Sequence, residues 1–121
     1  SFGHALETAT GYRSLLHGEA VAIGMVMAAR FSQELGWLTA TDVRDIRALV
    51  GGVGLPVTPP DGLDAAALLS LMRGDKKSNA GRIRLVLLRA VGEAVLTRDF
   101  PEDRLLALLE AFTRSPEEAV A

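Results

Sequence analysis

Between His17 and Leu35 the apolar positions Val21, Gly24, Met25, Ala28, Phe31 (or Ser32) and Leu35 recur at three- and four-residue steps, the spacing of one helix face. The opposite side is apolar too. Ala20, Ala22, Ile23, Val26, Met27 and Ala29 leave polar groups only at the ends, at Glu19, Arg30, Gln33 and Glu34. A helix that is apolar nearly all round is buried on most sides, which predicts the central helix of a bundle. Its many small residues would let neighbouring helices approach closely, and Gly36 is the expected stop.

Further along, Thr39 followed three residues later by Asp42 is a helix-start signal, and Val43, Ile46, Leu49 and Val50 form an apolar stripe that ends at Gly51-Gly52. Three prolines between Gly54 and Gly62 predict an extended connector, because proline lacks a donor and fixes φ. Asp64 opens a third helix carrying Leu68, Leu69, Leu71 and Met72. A polar run from Arg73 to Gly81 precedes Arg82–Leu88, where Ile83, Leu85 and Leu87 alternate with Arg82, Arg84 and Val86 as in a strand. Ala94–Thr97 is a second strand candidate, with Gly92 in the turn between. Such a hairpin must lie against helices, since alone it is marginal in water. Pro101 begins a last helix with Leu105, Leu106, Leu108, Leu109 and Phe112 on its apolar face, Pro116 ends it, and residues 115–121 are expected to be a frayed tail. The predicted fold is mainly α, a helical bundle with a small β-hairpin.

Composition narrows the function. The 121 residues are one domain's worth, so residues 1–121 are expected to form a single helical domain. A net charge of -2 gives no electrostatic case for nucleic acid, which needs a clustered excess of Lys and Arg. The longest apolar stretch, Ala20–Ala29, is too short for a bilayer, which takes about 20 residues. With no cysteine, disulfides, Cys-ligated zinc and a thiol nucleophile are excluded, which leaves the two histidines and the carboxylates as metal ligands. The chain opens on Ser1 without a polar lead-in, as if cut from a longer protein.

Both histidines stand beside glycine near the start, in Phe2-Gly3-His4-Ala5-Leu6-Glu7 and Leu16-His17-Gly18-Glu19. A neutral imidazole can bind zinc, but a site needs three or four ligands, and two histidines four residues apart are absent. His17 is thus either a metal ligand or a helix-terminal histidine bonded to backbone. Glu19 is accounted for by the positive end of its helix. Glu7 either orients His4 from one helix turn away or faces solvent. In Asp75-Lys76-Lys77 a lysine can reach an anionic group as a mobile point charge, although charged loops are commonly just solvated. Arg82 and Arg84 have the same ordinary explanation.

Taken together, Ser1-Phe2-Gly3-His4-Ala5-Leu6-Glu7, Gly11-Tyr12 and Leu16-His17-Gly18-Glu19-Ala20-Val21-Ala22-Ile23-Gly24-Met25 resemble the C-terminal domain of the 3-dehydroquinate synthase family. Gly54-Leu55-Pro56, Asp75-Lys76-Lys77 and Arg82–Leu88 followed by Gly92 agree in order and spacing. The resemblance implies a larger cytoplasmic enzyme, with an N-terminal domain that binds NAD, a helical C-terminal domain, and zinc or another divalent metal such as Co2+ in the cleft between them. It also implies a homodimer formed largely through the other domain. In the family motif Gly-His-Thr/Ser-Phe-Gly-His the first histidine is a metal ligand. This sequence starts at the third position of that motif, so that histidine, the glutamate ligand and the substrate-site arginine and asparagine would lie before Ser1. By position His17 resembles the second histidine ligand. His4 resembles the active-site histidine that contacts the substrate phosphate and assists proton transfer, and Lys76 or Lys77, with Lys76 slightly favoured, resembles the phosphate-binding lysine.

The activity so implied converts 3-deoxy-D-arabino-heptulosonate 7-phosphate to 3-dehydroquinate and phosphate, in the shikimate route to aromatic amino acids. NAD takes a hydride and returns it: the transient C5 ketone acidifies the C6 proton, so phosphate leaves by elimination, before reduction, ring opening and aldol closure. The substrate's own phosphate can serve as the base, which leaves His4 and the lysine to position and neutralise it. Alternatives are another sugar-phosphate cyclase, such as a 2-deoxy-scyllo-inosose synthase, and a non-catalytic helical interaction module. Residues 1–121 alone, lacking the other ligands, are expected neither to turn over substrate nor to bind NAD.

Overall fold

The computed structural model describes residues 2–74 and 83–114. Among these are five helices and one hairpin: α1 (Phe2–Ala9), α2 (His17–Glu34), α3 (Ala40–Gly52), α4 (Ala65–Met72), β1 (Leu85–Ala90), β2 (Glu93–Thr97) and α5 (Glu102–Arg114). This is the mainly helical architecture with a small antiparallel hairpin that the sequence predicts. The expected tail over 115–121, Pro116 and the run 75–82 lie outside the described residues.

Helix α2 takes the central place, with α1, α3 and β1 packed on it, while α4 joins α1 to α5. Ala20, Ile23, Val26, Met27, Ala29 and Phe31 have no exposed surface. The bundle thus covers the second face of α2 and also Gly24, Phe31 and Ser32 of the predicted stripe. Val21 and Met25 of the predicted stripe are 41% and 50% exposed. An all-round apolar helix does not say which side will be left open, because both sides satisfy the same spacing.

Three helix boundaries have a plain local cause. Thr39 Oγ1 accepts from the Asp42 N–H and the Asp42 carboxylate accepts from the Thr39 N–H, both at 3.0 Å, a reciprocal cap that satisfies two otherwise free donors. Asp64 accepts from the Ala67 N–H at 3.0 Å. After α2, Gly36 adopts φ 82°, and the N–H groups of Gly36 and Trp37 return to the carbonyls of Gln33 and Ser32, which ends the helix where the sequence predicts. Two details differ. Leu49 is 72% exposed, because one residue turns a helix by about 100° and Val43 and Val50 already define the buried direction. Helix α1 is absent from the elements read above, although Phe2, Ala5, Leu6 and Ala9 have helical spacing.

In the hairpin, Leu85 pairs with Thr97 and Leu87 with Val95, with an irregularity between Leu88 and Ala90. Leu85 and Leu87 face the core, and Ile83 fills it from just before the strand. Ser32 fixes the hairpin to α2: its buried hydroxyl donates to the Ala28 carbonyl at 2.8 Å and accepts from the Leu88 N–H at 2.9 Å. Phe31 and Phe100 meet edge to face with centroids 5.7 Å apart, and an Arg73–Glu102 ion pair joins the end of α4 to the start of α5.

Helices α1 and α2 approach closely. A methyl group added at Gly24 would lie 2.9 Å from the backbone nitrogen of Gly3 and 3.2 Å from its Cα, and one added at Gly3 would lie 3.2 Å from the Ala20 carbonyl oxygen. No side chain fits between these backbones. Gly24→Ala should therefore destabilise the protein by about 2 kcal/mol in denaturant unfolding, whereas Gly18→Ala, which meets nothing within 4 Å, should be neutral or stabilising by up to about 1 kcal/mol. Ser32→Ala leaves the part-buried Leu88 N–H without its acceptor and should cost about 1 kcal/mol by the same measurement.

Candidate functional site

The α1–α2 crossing sets the positions of the two histidines. His4 is on the exposed side of α1, and His17 is the first residue of α2. The chain between them turns back sharply through Gly11 (φ 65°) and Tyr12 (φ 60°), a left-handed conformation that is unusual for an aromatic residue. The Tyr12 N–H donates to the Glu7 carbonyl at 3.0 Å, and its hydroxyl lies 3.2 Å from Thr8 Oγ1. These contacts return the start of α2 to the flank of α1.

His4, Glu7 and His17 consequently line one groove of about 390 Å³, whose other walls include Val21, Met25, Leu85 and Val86. The apolar residues left open on α2 and β1 form its floor, so a polar rim adjoins a hydrophobic bed, the usual composition of a small-molecule site. The His17 ring is 77% exposed and its Nδ1 lies 3.0 Å from Glu7 Oε1, while the Glu7 side chain is only 12% exposed. The imidazole is therefore turned outward to the groove, and the ordinary explanation of a histidine bonded to backbone gives way to a bond with a buried carboxylate.

Glu7 differs from both sequence readings, since it is buried and its carboxylate meets His17. The pairing spans ten residues and a left-handed turn, so no local spacing signals it. Glu19 matches its ordinary explanation: its Oε1 accepts the Leu16 N–H at 2.9 Å, at the N-terminus of α2. Lys76, Lys77 and Arg82 lie outside the described residues, and Arg84 is exposed just before β1.

The donor set suits part of a metal site. With Nδ1 engaged by a carboxylate, Nε2 of His17 is the ring atom left to bind a divalent cation, an arrangement common around zinc. Among the described residues no group of three or more His, Asp or Glu side chains is gathered closely enough to hold a metal, so further ligands would have to join His17 from elsewhere.

Residues 1–78 match the sequence model of the family described as 3-dehydroquinate synthase C-terminal. Similar proteins named 3-dehydroquinate synthase occur in Psychrobacter cryohalolentis, 50% identical over 90% of this chain, in Azotobacter vinelandii, 51% identical over 100% of it, and in Pseudomonas fluorescens, 53% identical over 95% of it. The chain spans 29%, 33% and 31% of those proteins, respectively.

Because Glu19 serves the helix end, Glu19→Ala should lower stability by about 1 kcal/mol in thermal or denaturant unfolding, the size of a lost N-terminal cap. Glu19→Gln, which keeps a carbonyl acceptor, should retain most of it.

Proposed function

Since the chain belongs to the 3-dehydroquinate synthase C-terminal family, we propose that it is the metal- and substrate-binding part of an enzyme that converts 3-deoxy-D-arabino-heptulosonate 7-phosphate to 3-dehydroquinate and phosphate. The observation that carries this reading is the convergence of His4 and His17 on one open groove, with the buried Glu7 behind His17. The names of the relatives favour this substrate over that of the deoxyinosose cyclases.

In this reading His17 presents Nε2 as one ligand to a divalent cation, zinc or cobalt, and the remaining ligands come from outside the described residues. Such a cation would polarise the alcohol that NAD oxidises. NAD itself is held by a partner domain. His4, on the rim one helix away, contacts the substrate phosphate and keeps a proton at that oxygen as the group departs. One of Lys76 and Lys77 neutralises the same phosphate. Val21, Met25 and Val86 face the groove and exclude water from the carbon skeleton, which strengthens the polar contacts at the rim. The protein works in the shikimate route as a lyase, in the cytoplasm and as a homodimer.

Two substitutions in the full-length gene product test the division of labour. His17→Ala should abolish stoichiometric zinc, measured by elemental analysis after gel filtration, and unchanged zinc would remove His17 from the ligand set. His4→Ala should retain zinc and slow phosphate release by about 10²–10⁴-fold, the usual contribution of a positioned acid or base. Loss of zinc on that change would instead exchange the two histidines' roles. Residues 1–121 alone should show no turnover, and robust phosphate release by them would contradict the reading.

A further inference from the structure

Among the described residues Glu7 and Ser32 are the buried polar side chains. Ser32 has a structural task in holding the hairpin to α2. Glu7 has no comparable one. A carboxylate is costly to bury, and a hydrogen bond to a mostly exposed ring returns little, because water competes for it. For the α1–α2 contact alone, an apolar residue of similar volume would serve as well without the cost of desolvating a carboxylate. Packing therefore does not account for an acid at this position, and its contact with His17 does.

The contact is also held in place from the main chain. The Glu7 carbonyl accepts from the Tyr12 N–H at 3.0 Å and from Thr10 Oγ1 at 3.1 Å. Glu7 is thus tied to the same turn that delivers His17, and its carboxylate lies 3.0 Å from Nδ1 of the ring. The His17 side chain, 77% exposed, has little packing to hold its orientation. What fixes the ring is the carboxylate.

We propose that Glu7 is a positioning residue for the metal ligand His17. It accepts the Nδ1–H, so the neutral ring keeps its proton on the buried side and presents the Nε2 lone pair to the groove. A free histidine side chain prefers the opposite tautomer, in which Nε2 carries the proton and cannot bind a cation. The carboxylate also makes Nε2 a better donor by drawing on the Nδ1 proton. The inference rests on the reading of His17 as a ligand, and it assigns a role to Glu7 that this reading does not require.

The test uses the full-length gene product with zinc as the probe. Zinc affinity is measured by competition with a chromogenic chelator for the wild type and for Glu7→Ala, Glu7→Gln and His17→Ala. The tautomer of the neutral His17 ring is read in the zinc-free protein by long-range 1H–15N NMR with labelled histidine. The wild type should show the Nδ1–H tautomer. Glu7→Ala should weaken zinc binding about 10–100-fold, as changes of residues behind a ligand do, and should move the ring toward Nε2–H. Glu7→Gln, whose amide oxygen still accepts from Nδ1, should keep the tautomer and recover affinity to within a few-fold of the wild type. A purely structural role for Glu7 would lower stability without moving the tautomer. An Nε2–H tautomer in the wild type overturns the proposal irrespective of how any variant folds. So does zinc affinity within twofold of wild type in Glu7→Ala while His17→Ala abolishes binding. Undiminished zinc affinity in His17→Ala overturns instead the ligand assignment on which the proposal stands.

Discussion

The contact between the backbones of Gly3 and Gly24 is the constraint from which the rest of the site follows. Two helices that touch main chain to main chain have one crossing, because any side chain at the contact would force them apart. That crossing places His4 and Glu7 of α1 alongside the first turn of α2, where His17 begins. A wider separation would part the carboxylate from the ring, and the groove would lose its polar rim. Helix packing and candidate chemistry thus meet at positions that carry no functional group.

The open face of α2 follows from the same geometry. Val21 and Met25 are four residues apart, beside the α1 contact at Gly24, and stay partly exposed along the groove, and Val86 continues the surface from β1. The core closes on the other side, where Phe31, Phe112 and Leu105 have no exposed surface. A helix that needs apolar residues both for the core and for the bed of a groove becomes apolar all round, and this explains a composition that otherwise resembles complete burial. Among the described residues no helix is long and apolar enough to cross a membrane.

What could be read from the chain was local. Thr39 with Asp42, Asp64 and Gly36 mark helix ends because each acts within four residues of itself, and the alternation at Leu85 and Leu87 marks the strand for the same reason. The two histidines stood out through their setting beside glycine, and they do share one groove. Helix α1 is hard to read from the chain because eight residues give barely two turns over which Phe2, Ala5, Leu6 and Ala9 can set a period. The exposed side of α2 depended on which neighbours pack against it. The contact of Glu7 with His17 is the least legible, since it arises from a turn through two left-handed residues that joins positions ten apart. Spacing rules carry no information about such a pairing.

If the α1–α2 crossing sets His17 as a ligand, its Nε2 meets the cation at the groove while Glu7 stays behind the ring. Anomalous diffraction at the zinc edge, from crystals of the zinc-loaded full-length gene product, tests this most directly. The expected result is a zinc peak about 2.0–2.1 Å from His17 Nε2, with Glu7 still on Nδ1. A peak bridging Nδ1 and the Glu7 carboxylate, or one remote from the groove, would contradict it.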